Sequence, residues 1–252
     1  MAKAYLIQTV AEATSKERSF EKVRGLVESA HLKQGSLIIF PEMFTTGFLT
    51  APEKDSGEIL VPSKASALSR FLQELADRTD CTVLGGGIEK FGNSFRNATG
   101  AYFPKKKTPE AIYRKRHLFA EEASHFEPGE DFAHFEWAGF SIYPFICFDL
   151  RFPEDFRHAR ASGATLITVQ AEWPHSRSLA WETLLRARAI ENQCFILAVN
   201  RAGDDFGGSC AFGPSGEMLL GTSAREGIYE VSIDPSDVEA ARKAFPIPPP
   251  IL

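Results

Sequence analysis

Short apolar runs alternate with longer amphipathic ones along this chain, and that alternation restricts the fold more than any other feature. "SLIIF" (36–40), "ATLITVQ" (164–170) and "CFILAVN" (194–200) read as buried strands, being too short for stable helices. Between such runs, "SFEKVRGLVESA" puts Phe20, Val23, Val27 and Ala30 on one helical face, with Gly35 as a stop. "KASALSRFLQELADRT" sets Leu68, Phe71, Leu72, Leu75 and Ala76 at helical spacing. "EDFRHARAS" after Pro153 and "SLAWETLLRARAIENQ" are further helices, the second with Ser178 as its expected cap. Buried strands separated by amphipathic helices predict a layered α/β architecture.

The middle of the chain adds antiparallel character. From about 98 to 147, "ATGAYF", "AIYRKRHLF", "DFAHFEW" and "FSIYPFIC" read as strands joined by turns, with Ala138-Gly139 as a hairpin turn. "SCAFGPSGEML" reads as a second hairpin turning at Pro214 to Gly216, followed by a strand in "GIYEVSID". The sheets are therefore expected to be mixed. A last helix near 236–245 leads to "FPIPPPIL", which cannot be helical and is expected to pack as an extended arm. With no linker, repeat or low-complexity tract, one domain over 1–252 is expected.

Composition narrows the partners. A net charge of -5 argues against nucleic acid or an anionic membrane. No stretch is long and apolar enough to span a bilayer, and "MAKAYLIQTV" lacks the features of a secretory leader. The four cysteines, Cys81, Cys147, Cys194 and Cys210, are widely spaced with no C-x-x-C pair, so neither a zinc site nor a disulfide framework is expected. These features predict a cytoplasmic protein with reduced thiols and no metal or other cofactor.

Three strand ends carry chemistry. "SLIIF" runs into "PEMF", which puts Glu42 just past a buried strand; "AIYRKRHLF" holds Lys115 among four basic residues; "FSIYPFIC" ends at Cys147. Pockets form at strand ends in open α/β layers. A carboxylate in a dry pocket can take a thiol proton, and an ammonium can stabilise first a thiolate and then an oxyanion. A turn after Cys147 would add the Phe148 N–H as a second oxyanion donor. Each residue also has an ordinary structural reading: Cys147 as a small buried apolar side chain, Glu42 as a surface cap, Lys115 as part of a solvated basic face. Spacing alone does not choose between these readings. No H-E-x-x-H, G-x-S-x-G or Walker A pattern competes, and "GGG" at 85–87 reads as a tight backbone passage.

"PEMF", "YRKRHLF" and "CFDLRFPE", in this order, resemble the three signature segments of the nitrilase-like carbon–nitrogen hydrolase superfamily. The similarity continues through "AEWPHSRSLAWETLLRARAIENQCFILAVNRAG" and "GPSGEML". "PEMFTTGF", "KRHLF", "CFDLRFP" and "ARAIENQ" together look closest to its bacterial omega-amidase branch.

The resemblance implies a Glu–Lys–Cys triad of Glu42, Lys115 and Cys147. It also implies a second glutamate, matched to Glu122 rather than Glu121, that orients Lys115 and the substrate nitrogen. The implied fold is a four-layer α-β-β-α sandwich with two mixed sheets, which commonly pairs as a homodimer. The implied reaction is hydrolysis of the terminal amide of small 2-oxo dicarboxylic acid monoamides through a cysteine thioester. Another small amide, an N-carbamoyl compound or a nitrile is the alternative substrate, and an inactive scaffold binding a partner is the alternative class. Phe148, Arg151, Trp173 and Arg177 are the expected substrate contacts. Asp149, Arg151 and Glu154 are also read as an ionic frame for the turn after Cys147, so Arg151 has two readings. Glu172, in "AEWP" where close relatives often have Asn, brings a negative group to the pocket wall, so an anionic substrate would need Arg151, Arg177 or Arg116 to compensate.

Overall fold

A computed structural model of the chain describes residues 1–11, 15–50, 52, 57, 60 and 66–248. Among these residues twelve strands form two six-stranded sheets. The first sheet holds β1 (Ala2–Gln8), β2 (Leu37–Ile39), β3 (Thr82–Phe91), β4 (Ser94–Tyr102), β5 (Ala111–Arg114) and, at its other edge, β12 (Gly227–Ile233), in the order β12-β1-β2-β3-β4-β5. The second holds β6 (Phe135–Trp137), β7 (Phe140–Ile146), β8 (Leu166–Ala171), β9 (Phe195–Asn200), β10 (Cys210–Phe212) and β11 (Met218–Gly221), in the order β11-β10-β9-β8-β7-β6. Both sheets are mixed: β1-β2-β3 and β7-β8-β9 are parallel, and their flanking strands are antiparallel.

The two-residue period of each strand assigns its faces. In β1, Ala4 and Leu6 join a core with Leu166, Phe195, Leu197 and Val199 of the facing sheet, while Tyr5 and Ile7 turn to the helices outside. In β9, Phe195, Leu197 and Val199 face the other sheet, while Ile196 and Ala198 face outward. Helices α1 (Lys16–Ser29) and α2 (Ala67–Thr79) cover the first sheet through Phe20, Val23, Val27, Leu68, Phe71 and Leu72. Helices α3 (Pro153–Ala161) and α4 (Ser178–Asn192) cover the second through Phe156, Trp181, Leu185 and Ala189. The result is the expected α-β-β-α sandwich. A fifth helix, α5 (Pro235–Ala244), begins with Pro235 after the Asp234 cap. Among the described residues no helix is long and apolar enough to cross a membrane.

Both predicted hairpins form, and Ala138 and Gly139 each take positive φ, 48° and 85°. The glycine run is a tight passage: a Cβ on Gly86 would stand 1.9 Å from the Ala98 carbonyl oxygen, so only glycine lets β3 and β4 lie this close.

Several boundaries differ from expectation. β4 starts at Ser94, not 98, and β6 spans only Phe135–Trp137. Ser178 does not cap α4; a short 3₁₀ turn, His175–Arg177, feeds straight into it, and Ser178 is its first helical residue. Residues 246–248 have no regular structure, and the rest of the expected arm, 249–252, lies outside the described residues.

Candidate active site

Glu42, Lys115 and Cys147 each stand where a strand stops. β2 ends at Ile39 and Phe40 makes one more sheet bond to Leu84, before Pro41, which has no N–H to continue. Glu42 follows, 3% exposed, and Met43 then takes a left-handed φ of 44°. Lys115 follows β5 directly, with its N–H on the Asn97 carbonyl (2.8 Å) and its carbonyl accepting from Gly129 (2.8 Å). The expected strand through Phe119 ends at Arg114 because side chains claim the next residues. Arg116 swings out to Asp155 (3.0 Å), and the His117 N–H donates to Asp149 Oδ1 (2.9 Å). Cys147 closes β7 with φ 46°, a conformation disfavoured for a side chain with a Cβ, and opens a 3₁₀ turn that leads to α3. Strained residues of this kind cluster where a site must be held in one geometry.

Side-chain hydrogen bonds tie these strand ends together. Lys115 Nζ, fully buried, donates to Glu42 Oε1 (3.0 Å) and Glu122 Oε2 (2.9 Å). Asn97 Nδ2 donates to Glu42 Oε1 (2.7 Å) and Glu122 Oε1 (3.1 Å). The Glu172 N–H reaches Glu42 Oε2 (3.0 Å), and the Phe119 N–H reaches Glu122 Oε2 (2.9 Å). Two buried carboxylates around one ammonium are tolerable only because each oxygen has a donor.

Burial alone would lower the Lys115 pKa, but Glu42 and Glu122 outweigh it and hold the ammonium charged. Burial and the Glu42 carboxylate push the Cys147 thiol well up, while Lys115 and the Glu172 N–H pull it down. The resting group is thus a thiol beside a carboxylate rather than a preformed thiolate.

The turn after Cys147 is held by Asp149. Its Oδ2 accepts from the Ile146 N–H (3.0 Å) and the Tyr113 hydroxyl (2.8 Å), and its Oδ1 accepts from His117. Burial raises its pKa to about 6 against these bonds. The expected ionic frame is corrected here: Arg151 takes no part in it. Arg151 lies over the Trp173 ring at 5.0 Å, while the Asp149 oxygens are satisfied by three neutral donors.

A pocket of about 60 Å³ opens onto Cys147. All four expected substrate contacts, Phe148, Arg151, Trp173 and Arg177, line it, joined by Phe48 and Phe119. Arg177 lies over Phe119 at 5.4 Å. Among the described residues neither guanidinium has an ion-pair partner. Arg116 is excluded from the pocket by Asp155 and Phe132. Glu172 does stand in the pocket wall, but it is already balanced: Oε1 pairs with Arg201 and Oε2 accepts the Phe48 N–H (2.7 Å). Burial and Glu42 raise its pKa while Arg201 opposes them.

The carbon-nitrogen hydrolase family model matches residues 4–243. The chain is a carbon–nitrogen hydrolase. It is 32% identical over 222 residues to the 2-oxoglutaramate amidase of Bacillus subtilis, covering 85% of this chain and 84% of that one. To omega-amidase YafV of Yersinia enterocolitica it is 36% identical over 186 residues, covering 73% and 68%. Its sandwich superposes with TM-score 0.87, at 28% identity and over 97% and 95% of the two chains, on a superfamily protein from Xanthomonas campestris with an arsenic adduct in its active site.

Sequence reasoning missed several residues that complete the site of this hydrolase. Asn97, in "SFRNATGAY", looks like a polar interruption at a strand edge, yet it is 1% exposed and bridges two carboxylates. Its one signal was an amide two residues from Phe95 and four from Ala101, on the face those apolar residues share. Arg201, beside the neutralised Glu172, and the aromatic walls Phe48 and Phe119 gave no local signal, since only the folded chain brings them to the pocket.

Proposed function

We propose that this hydrolase is an omega-amidase, cleaving the terminal amide of small 2-oxo dicarboxylic acid monoamides such as 2-oxosuccinamate or 2-oxoglutaramate. The observation that carries this reading is the pair of guanidiniums, Arg151 and Arg177, that have no carboxylate partner among the described residues, at an aromatic pocket that opens onto Cys147. A substrate carboxylate entering unpaired would lose several kcal/mol of solvation, and these two cations are free to meet it. The small pocket volume suits a short acyl chain, with Phe48, Phe119 and Trp173 against its carbons. The names of the relatives in Bacillus subtilis and Yersinia enterocolitica support the same reading.

In the mechanism, the thiol proton of Cys147 passes to Glu42 as Sγ bonds the amide carbon. The oxyanion is met by the Phe148 N–H, one of the first amides of the turn and so without a partner inside it, and by Lys115. Two of the three Lys115 N–H donors are committed to carboxylates, which leaves the third. Collapse breaks the C–N bond, and Glu42 returns the proton to the departing nitrogen, giving ammonia and a thioester. Water then attacks the thioester, giving one proton to Glu42, which passes it to the leaving Sγ. The acid is released and both groups are restored. Glu122, fixed to Lys115 and Asn97, orients the ammonium and the substrate nitrogen.

The test is ammonia release across 2-oxo acid monoamides, neutral short amides, N-carbamoyl compounds and nitriles. The 2-oxo acid monoamides should have the highest kcat/KM. A neutral amide or nitrile turned over at least as well would overturn the substrate assignment.

A further inference from the structure

The two oxygens of Glu42 are not equivalent. Oε1 accepts from both Lys115 Nζ (3.0 Å) and Asn97 Nδ2 (2.7 Å), whereas among the described residues Oε2 accepts only from the Glu172 N–H (3.0 Å). A carboxylate oxygen offers about two acceptor positions, so Oε1 is full and Oε2 keeps one. The Cys147 thiol faces the same carboxylate and the same Glu172 N–H, and of the two oxygens Oε2 is the one with room for its proton.

We propose that Asn97 is a positioning residue that sorts the oxygens of the general base: with Lys115 it saturates Oε1, so that the thiol proton goes to Oε2. The assignment rests on Glu42 being the base and Cys147 the nucleophile. The orientation of the Asn97 amide is dictated by chemistry. Turned over, its oxygen would face two carboxylates with no proton between them. Its two N–H donors instead serve one carboxylate each, while its main-chain carbonyl holds the Lys115 N–H (2.8 Å). One residue thereby fixes the backbone of the cation and the side chains of both anions.

An amide suits this position because it donates twice without adding charge. A cation would pull the proton affinity of Glu42 down, and a carboxylic acid would add a third anion. The charged and titratable groups facing Glu42 are Lys115 after β5, Glu122 in the following turn, the Cys147 thiol after β7 and Glu172 after β8, the last balanced by Arg201. Asp149 acts on the same cluster through Lys115.

The test uses Asn97→Leu, which removes both donors at similar volume, and Asn97→Thr, which suits a strand and keeps one donor. Each is read for melting temperature, kcat and KM with the best amide, and the pH dependence of both kcat/KM and iodoacetamide alkylation of Cys147. The Leu variant should lose about 10- to 100-fold in kcat with KM nearly unchanged. In both its profiles the acid limb should move up by about one pH unit or more, since a hydrogen bond to an ionised group is lost. The Thr variant should fall between it and wild type, and decides the matter if the Leu variant does not fold. A folded variant of either kind with wild-type kcat and unshifted profiles overturns the inference and leaves the amidase reading intact. If Cys147 in the wild type is alkylated no faster than Cys81, Cys194 and Cys210, the amidase mechanism itself fails and the role of Asn97 with it.

Discussion

The cluster around Lys115 and the mouth of the pocket handle charge in opposite ways. Inside, six hydrogen bonds from Lys115, Asn97, Glu172 and Phe119 give every carboxylate oxygen of Glu42 and Glu122 at least one donor. At the mouth, Arg151 and Arg177 rest on aromatic rings, with no carboxylate on them among the described residues. A satisfied network fixes geometry and does not depend on which amide arrives. Unsatisfied cations at an opening have no structural task to lose, so they are the groups a substrate can use. Damage inside should therefore cost stability and activity on every substrate alike, and damage at the mouth should cost only selectivity.

Lys115→Met breaks this comparison hardest. It leaves two buried carboxylates with neutral donors only, and should cost about 3–5 kcal/mol of unfolding free energy, read by urea denaturation. An unchanged midpoint would mean that the cluster is not charged as described.

Asp149 gives a pH signature of the same interior. Its folded pKa, pushed by burial from 3.8 to about 6, lies above its unfolded value, so the folded state binds the proton more tightly. Its contribution therefore grows as pH falls from above 6 to below 3.8, by at most about 3 kcal/mol. Asp149→Asn should remove that slope from a stability–pH series; parallel slopes for variant and wild type would contradict it.

At the mouth the effects are smaller and selective. Arg177→Ala should leave unfolding free energy within about 0.5 kcal/mol. It should also lower kcat/KM for a 2-oxo acid monoamide by about 1.5–3 kcal/mol, the worth of a charge-assisted hydrogen bond. A neutral short amide should be unaffected, and equal losses on both substrates would make Arg177 structural. Arg151→Ala should act in the same direction and more weakly.

The layers were legible because buried strands and amphipathic helices have different periods, and both signals are local. The three strand ends were legible for the same reason: Pro41 and the charged turn after Cys147 interrupt apolar runs abruptly. What joins them was not, since Asn97 and Arg201 take their meaning from partners distant in sequence. The early end of β5 was hidden likewise, because Asp149 and Asp155, which draw His117 and Arg116 off the sheet, come more than thirty residues later. Arg151 shows the limit of reading charge by proximity. Asp149, two residues away, satisfies backbone N–H groups and a tyrosine instead, which frees the arginine for the pocket.

The most direct test of the account is the turnover of Cys147→Ser with the best amide of the panel, alongside its melting temperature. The hydroxyl has a far higher pKa than the thiol, and Glu42 is too weak a base to activate it. The account predicts a folded protein with nearly all turnover gone. Turnover within about tenfold of wild type, on the scale where each tenfold is 1.36 kcal/mol of barrier, would contradict the covalent route.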